Sequence, residues 1–175
     1  MRNTFLAVVY SIALLGCGGG DYSATPEPSK TTTSAQPQDS WIAAELLIAT
    51  FMDSADASMF SRFGARFANT VATLASQGLL NSDAAPMAFH ADAEAEISQF
   101  IAVTHDYVWS VAVNNRIDEI GMTVLMNDYK SRQLIDFSKH LYGLRSTVAD
   151  LLISMISDTL DSAYSNELLA MSQLG

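Results

Sequence analysis

The chain has 175 residues, of which 49% are hydrophobic and 16% are charged, so its composition is that of a folded protein. Nine Lys and Arg residues against nineteen Asp and Glu residues give a formal charge of -10, which disfavours binding to nucleic acids and anionic head groups, because both require cationic side chains. The length suits one domain with a hydrophobic core, and the single cysteine excludes a disulfide within the chain.

The first predicted element is a short apolar segment at the N-terminus. Arg2 precedes an apolar run from Phe5 to Leu15 that is interrupted only by Tyr10 and Ser11. This run is too short for a membrane-spanning helix, which takes about 20 apolar residues. It therefore predicts the hydrophobic region of a secretory signal peptide.

The only cysteine, Cys17, ends this segment in the sequence Leu14-Leu15-Gly16-Cys17. The tetrapeptide resembles the lipobox of bacterial lipoproteins, in which a small residue such as Gly16 precedes the modified cysteine. The resemblance covers only the leader and the cysteine. It implies that the leader is removed, that the Cys17 thiol receives a diacylglyceryl group, and that lipids such as palmitate anchor the protein in the bacterial cell envelope.

A flexible tether is expected after the cysteine. Residues 18–40 contain three of the four prolines and a run of Ser, Thr and Gly, so they cannot bury enough apolar surface to offset the entropy lost on ordering. Such a tether would hold a domain on the order of 25–35 Å from a membrane. Because Gly18 and not an aspartate follows Cys17, the outer membrane is favoured if the host has two membranes.

Apolar residues recur at helical spacing from Trp41 onward, which predicts a helical domain over residues 41–175. A first helix is expected to be capped by Asp39 or Ser40. A second stretch has an apolar face, expected to lie in the core, and a polar face turned away from it. The apolar positions are Phe60, Phe63, Phe67, Val71 and Leu74, and the polar ones are Arg62, Arg66 and Asn69.

Residues 77–86 predict a loop, because Gly, Asn, Asp and Pro cluster there. The helix that follows is expected to begin near His90. Its first turns would then carry Asp92, Glu94 and Glu96, whose charges suit the positive end of the helix dipole.

A further helix is predicted over residues 122–142, with a bend near Gly121 before it and Gly143 as its C′ residue. Thr147 and Asp150 resemble a capping box that opens the last helix. No segment has a convincing strand pattern. The sequence therefore predicts an all-α fold, a compact bundle of four to six helices behind a leader (1–16) and a tether (17–40).

Two groups of reactive side chains remain candidates for a functional site. His105, Asp136 and His140 supply metal-ligand types, although no glutamate precedes a histidine by three residues as in di-iron bundles. Ser138 with Asp136 and His140 has the residue types of a hydrolase triad, but helical spacing turns Ser138 away from the other two.

Alternate residues in His90-x-Asp92-x-Glu94 fall on different faces of a helix, which predicts a solvated segment. No catalytic residue, metal ligand or cofactor is assigned from the sequence. Lipid attachment at Cys17 is the one assigned site.

The leading functional hypothesis is a lipid-anchored, non-catalytic accessory or adaptor that contacts other envelope proteins. Its membrane contact would be the lipid on Cys17, and no nucleic-acid partner is expected. The alternatives are a metal- or cofactor-binding helical bundle and an envelope hydrolase acting on peptidoglycan or lipid. An apolar patch exposed on the folded domain would indicate a partner surface.

Overall fold

The computed structural model describes the backbone of residues 37–173 and the side chains from Trp41 onward. It contains four helices, α1 (Pro37–Ser76), α2 (Ala84–Asn114), α3 (Glu119–His140) and α4 (Ser146–Ser172), and no strand within the described residues. The predicted all-α bundle is therefore confirmed, with four helices. The leader, Cys17 and residues 18–36 lie outside the described residues, so the predictions made for them stay predictions.

The four helices pack around one core, and α1 and α2 run antiparallel, because Arg62 pairs with Glu96 and Thr70 with Asp92. Trp41, Ala49 and Gly64 of α1 lie beside Gly121, Tyr129 and His140 of α3, so these two helices run parallel. α2 contacts both α1 and α4, and α3 contacts α4, which leaves α2 and α3 on a diagonal. The least closely packed neighbours are α1 and α3.

Aromatic and aliphatic side chains from all four helices fill the core. The largest fully buried ones include Phe63, Phe89, Phe100, Phe137, Tyr129, Ile48, Ile97, Leu152, Ile156 and Leu160. Phe60, Phe67 and Val71 are partly buried against them, which confirms that the predicted apolar face of α1 belongs to the core. Within the described residues, no helix is both long and apolar enough to cross a membrane.

α1 is one continuous helix of 40 residues, although the sequence suggested two stretches. Met52 and Met59 are buried, and Ala55 packs against the core, so the apolar stripe runs unbroken between the two stretches. Asp39 and Ser40 lie inside the helix, and their prediction as caps was wrong.

α2 also begins earlier than predicted, at Ala84, with Pro86 in its first turn. Proline is tolerated there because the first backbone N–H groups of a helix have no intrahelical acceptor. Asp92, Glu94 and Glu96 consequently lie two to three turns inside the helix, and their placement at the helix start was wrong.

The turns before and after α3 lie close to the two helix interruptions that were predicted near Gly121 and Gly143. Gly121 lies in the first turn of α3, where the side chain of Asp118 accepts a hydrogen bond from its N–H, so the bend precedes it. Gly143 lies in the following turn with φ 101, a conformation that suits glycine. The capping box predicted for α4 is wrong, because Arg145 precedes that helix without a side-chain cap.

Candidate functional site

A cleft of about 390 Å3 opens between α1 and α3, which pack less closely than the other neighbouring helices of the bundle. Its lining residues recur every three or four positions on both helices, so each set shares one helix face. They are Asp53, Asp56, Ala57 and Phe60 from α1 and Arg132, Asp136, Lys139 and His140 from α3. We call this site the α1–α3 cleft.

A buried polar relay stands behind the cleft. Gln133 Nε2 donates a hydrogen bond of 2.8 Å to Asp56 Oδ1, and the Tyr164 hydroxyl donates one of 2.9 Å to Gln133 Oε1. Asp56 is only 7% exposed, and the other two side chains are more deeply buried. Because each end of the Gln133 amide has one partner, the relay fixes the amide orientation and holds the Asp56 carboxyl in place.

The environment of Asp56 raises the pKa of its carboxyl above the ordinary value of 3.8. Burial is the main cause that raises the pKa of this carboxyl, and the charges of Asp136 and Asp53 raise it further. The hydrogen bond from Gln133 and the charge of Arg132 act in the opposite direction without cancelling the rise.

The other charged groups of the cleft are paired with each other. Arg132 Nη2 lies 3.0 Å from Asp53 Oδ1, and the Tyr129 hydroxyl donates to the same oxygen at 2.6 Å. Burial, together with the bond to Asp53, raises the pKa of Tyr129. Lys139 Nζ forms an ion pair with Asp136. Among the described residues, Asp56 is therefore the carboxylate of this cleft that lacks a cationic partner.

His140 closes one side of the cleft and is held by packing. Its ring lies against Phe60 and Phe63, with centroid distances of 5.9 and 5.3 Å. His140 Nδ1 lies 3.0 Å from the Asp136 carbonyl oxygen. Since a carbonyl can only accept, Nδ1 carries a proton, and Nε2 is the acceptor when the ring is neutral.

The residues of the predicted metal site do not converge. His105 lies between α2 and α4, where its Nδ1 is 2.7 Å from Glu167 Oε2 and the Trp109 indole donates to the same carboxylate oxygen. Asp136 and His140 instead line the α1–α3 cleft. Within residues 41–173, no group of three or more His, Cys, Asp or Glu side chains is placed to hold a metal ion.

The remaining candidates are also separated. His90 Nε2 lies 2.8 Å from the Thr159 hydroxyl on α4, whereas Asp92 accepts a hydrogen bond from Thr70 on α1. His90 and Asp92 therefore lie on different helix faces, as predicted, whereas Glu94 shares the face of His90. Ser138 is exposed and donates to a carbonyl of its own helix, outside the cleft that Asp136 and His140 line.

An ion-pair cluster joins α1 to α2 at Glu96, which is 0% exposed. Arg62 Nε donates to Glu96 Oε2 at 2.6 Å. Arg66 Nε lies 2.7 Å from Oε1, but its N–H does not point at this oxygen, so that contact is an ion pair without a well-formed hydrogen bond. Both arginines were predicted to turn away from the apolar face of their helix; they instead reach the buried Glu96, although more than half of the Arg66 side chain stays exposed.

The sequence did contain a signal for this cluster. Glu96 follows Ala93 by three residues and precedes Phe100 by four, so it lies on the buried stripe of α2. A buried carboxylate at such a position requires a cationic partner. The contact between α1 and α2 therefore accounts for both arginines, and the cluster indicates no ligand site.

No protein-family model, curated protein or solved structure matches this chain. The functional proposals therefore rest on the residues of the chain itself.

Proposed function

We propose that this chain is a lipid-anchored protein of the bacterial cell envelope whose helical domain acts as a non-catalytic accessory or adaptor. The observation that carries the proposal is the sequence Leu14-Leu15-Gly16-Cys17 after a short apolar run. A diacylglyceryl group on Cys17 would supply two lipid chains, which is enough for stable anchoring.

A surface formed by α1 and α2 supports a role in protein contacts. Leu47 and Phe51 lie one turn apart on α1, and Val103 and Tyr107 lie one turn apart on α2. The Phe51 and Tyr107 rings stack at 4.2 Å and join the two pairs. Leu47 and Val103 are 52% and 54% exposed, so the cluster presents apolar side chains to solvent. We call these four residues the apolar patch, a type of surface that is common at interaction sites.

The expected occupant of the apolar patch is a membrane-attached or envelope protein. The lipid on Cys17 would restrict the domain to partners within the reach of the tether. A net charge of -10 opposes contact with anionic lipids and nucleic acids. In addition, Arg62 and Arg66 are both paired with the buried Glu96.

Site-specific photocrosslinking in cells tests this proposal. A photoreactive amino acid replaces Leu47 in the full chain, with and without Cys17→Ser. We expect one discrete protein crosslink from the lipidated chain and its loss when Cys17 is replaced, because the chain would no longer be held near its partner.

Leu151 provides the matched control position. It is also 52% exposed, but it lies in a polar depression beside Arg145 and Thr147. The same crosslink from both positions would contradict the apolar patch as the contact surface. A crosslink from Leu47 that persists in Cys17→Ser would contradict the dependence on the anchor.

A further inference from the structure

We propose that the α1–α3 cleft binds a small organic molecule through an ammonium group, which Asp56 receives while Ala57 and Phe60 contact the carbon atoms of the ligand. This inference goes beyond the adaptor function and does not depend on lipid attachment.

The pairing of charges in the cleft identifies Asp56 as the receiving group. Asp53 is engaged by Arg132, and Asp136 by Lys139. Gln133 bonds only Oδ1 of Asp56, and no other described residue donates a hydrogen bond to this carboxyl. Oδ2 is therefore left for a donor that enters the cleft, and a cationic donor would also compensate the buried charge.

The use of an aspartate at this position supports a binding role. An asparagine would fit the same space and would accept the same hydrogen bond from Gln133, without the free-energy cost of burying a charge. The relay through Gln133 and Tyr164 nevertheless holds a carboxyl there. A carboxyl that is held in place although its burial costs free energy is expected at a site that recognises charge.

The walls and the size of the cleft define the rest of the ligand. The Phe60 ring packs edge-on against Phe137 with a centroid distance of 4.8 Å, which fixes its position at the cleft. Phe60 and Ala57 both line the cleft and provide the apolar contact that aliphatic carbons next to an ammonium group require. A volume of about 390 Å3 is at the small end of ligand pockets, which favours a compact amine.

The charges also argue against other classes of ligand. An anion would meet three carboxylates, while Arg132 and Lys139, the Arg and Lys side chains that line the cleft, are already paired with Asp53 and Asp136. The described residues of the cleft do not form a group able to hold a metal ion. An organic cation satisfies the unpaired carboxyl without needing further ligand atoms.

The test is an NMR titration of the purified full chain in detergent with n-butylammonium chloride, following the ring resonances of Phe60 and His140. We expect saturable shifts with a dissociation constant on the order of millimolar, because so few atoms make contact. The uncharged analogue n-butanol is expected to give none. Asp56→Asn is expected to weaken binding at least about tenfold, the effect of losing one charged contact.

Asp158→Asn is the matched control, because Asp158 is an exposed carboxylate on α4 outside the cleft. It should bind n-butylammonium as the unmodified chain does. The backbone spectrum of Asp56→Asn shows whether that variant is folded. Absence of saturable shifts in the unmodified chain, equal shifts with n-butanol, or unchanged affinity in folded Asp56→Asn would each overturn the proposal.

Discussion

Gly121 determines how closely α1 approaches α3. A Cβ atom at this position would overlap Trp41 Cζ2 and would lie 3.3 Å from Ile117 Cγ2. Gly121→Ala therefore requires the Trp41 ring to move out of its packed position. We expect the free energy of unfolding to fall by about 1–3 kcal/mol, the usual cost of overpacking, as measured by urea denaturation of the full chain.

Gly64→Ala is the control for this prediction. A Cβ atom at Gly64 would meet nothing closer than His140 Nε2 at 3.5 Å, an ordinary contact. Because alanine is the better helix former, this variant should be equally stable or more stable by up to about 1 kcal/mol. Equal destabilisation by both substitutions would show that steric contact with Trp41 is not the cause.

Asp56 gives the domain a dependence of stability on pH. Burial raises the pKa of this carboxyl above its ordinary value of 3.8, with further contributions from Asp136 and Asp53. At pH values near and above this ordinary pKa, the folded chain therefore binds more protons at Asp56 than the unfolded chain does. The stability contributed by this group is therefore present at low pH and is lost as the pH rises through the folded-state pKa.

Asp56→Asn removes this dependence while keeping an acceptor for Gln133. We expect the variant to gain stability relative to the unmodified chain as the pH rises from about 4 to about 7. Urea denaturation at several pH values measures the difference. A difference that stays constant or shrinks with rising pH would contradict a raised pKa at Asp56.

At the scale of elements, the Glu96 ion-pair cluster joins α1 to α2. Arg62→Met or Arg66→Met alone should cost about 1 kcal/mol, because the other arginine still compensates the buried carboxylate. The double variant leaves Glu96 without a cation, and we expect it to lose about 3–5 kcal/mol. A double-mutant cycle by urea denaturation measures this non-additivity.

Glu96→Leu in the double-variant background tests the cause. It removes the buried charge, so most of the lost stability should return. Additive losses, or no recovery with Glu96→Leu, would show that the cluster contributes little to the contact between α1 and α2.

The elements themselves could be predicted from the sequence better than their ends. The spacing of Phe60, Phe63 and Phe67 identifies a buried helix face because it needs only local periodicity. The starts of α2 and α4 were misplaced because neither helix has a side-chain cap. Tertiary packing keeps these helix starts in place without the local signal on which sequence patterns depend.

Only part of the candidate site could be predicted from the sequence. Asp136 and His140 were singled out by residue type, and both line the cleft. Asp56 and Gln133 were missed because they are 77 positions apart and meet only where α1 runs parallel to α3. His105 was grouped with the wrong residues, since the sequence does not reveal that α2 and α3 are diagonal.

At the scale of the whole molecule, the bundle presents the α1–α3 cleft and the apolar patch on different sides of α1. α1 begins at Pro37, at the end of the bundle where the α2–α3 connection also lies. The cleft residues lie near the middle of α1 and in the C-terminal half of α3. Because the apolar patch lies between α1 and α2 and the cleft lies between α1 and α3, a partner on the patch would leave the cleft open to solvent.

The central claim is that Cys17 carries a lipid and becomes the first residue of the protein. The most direct measurement is intact mass spectrometry of the full chain expressed in bacteria, compared with Cys17→Ser. We predict a chain that starts at Cys17 and carries the added mass of a diacylglyceryl group, and neither change in the variant. An unmodified wild-type chain, differing from the variant only by the exchanged atom, would contradict the claim.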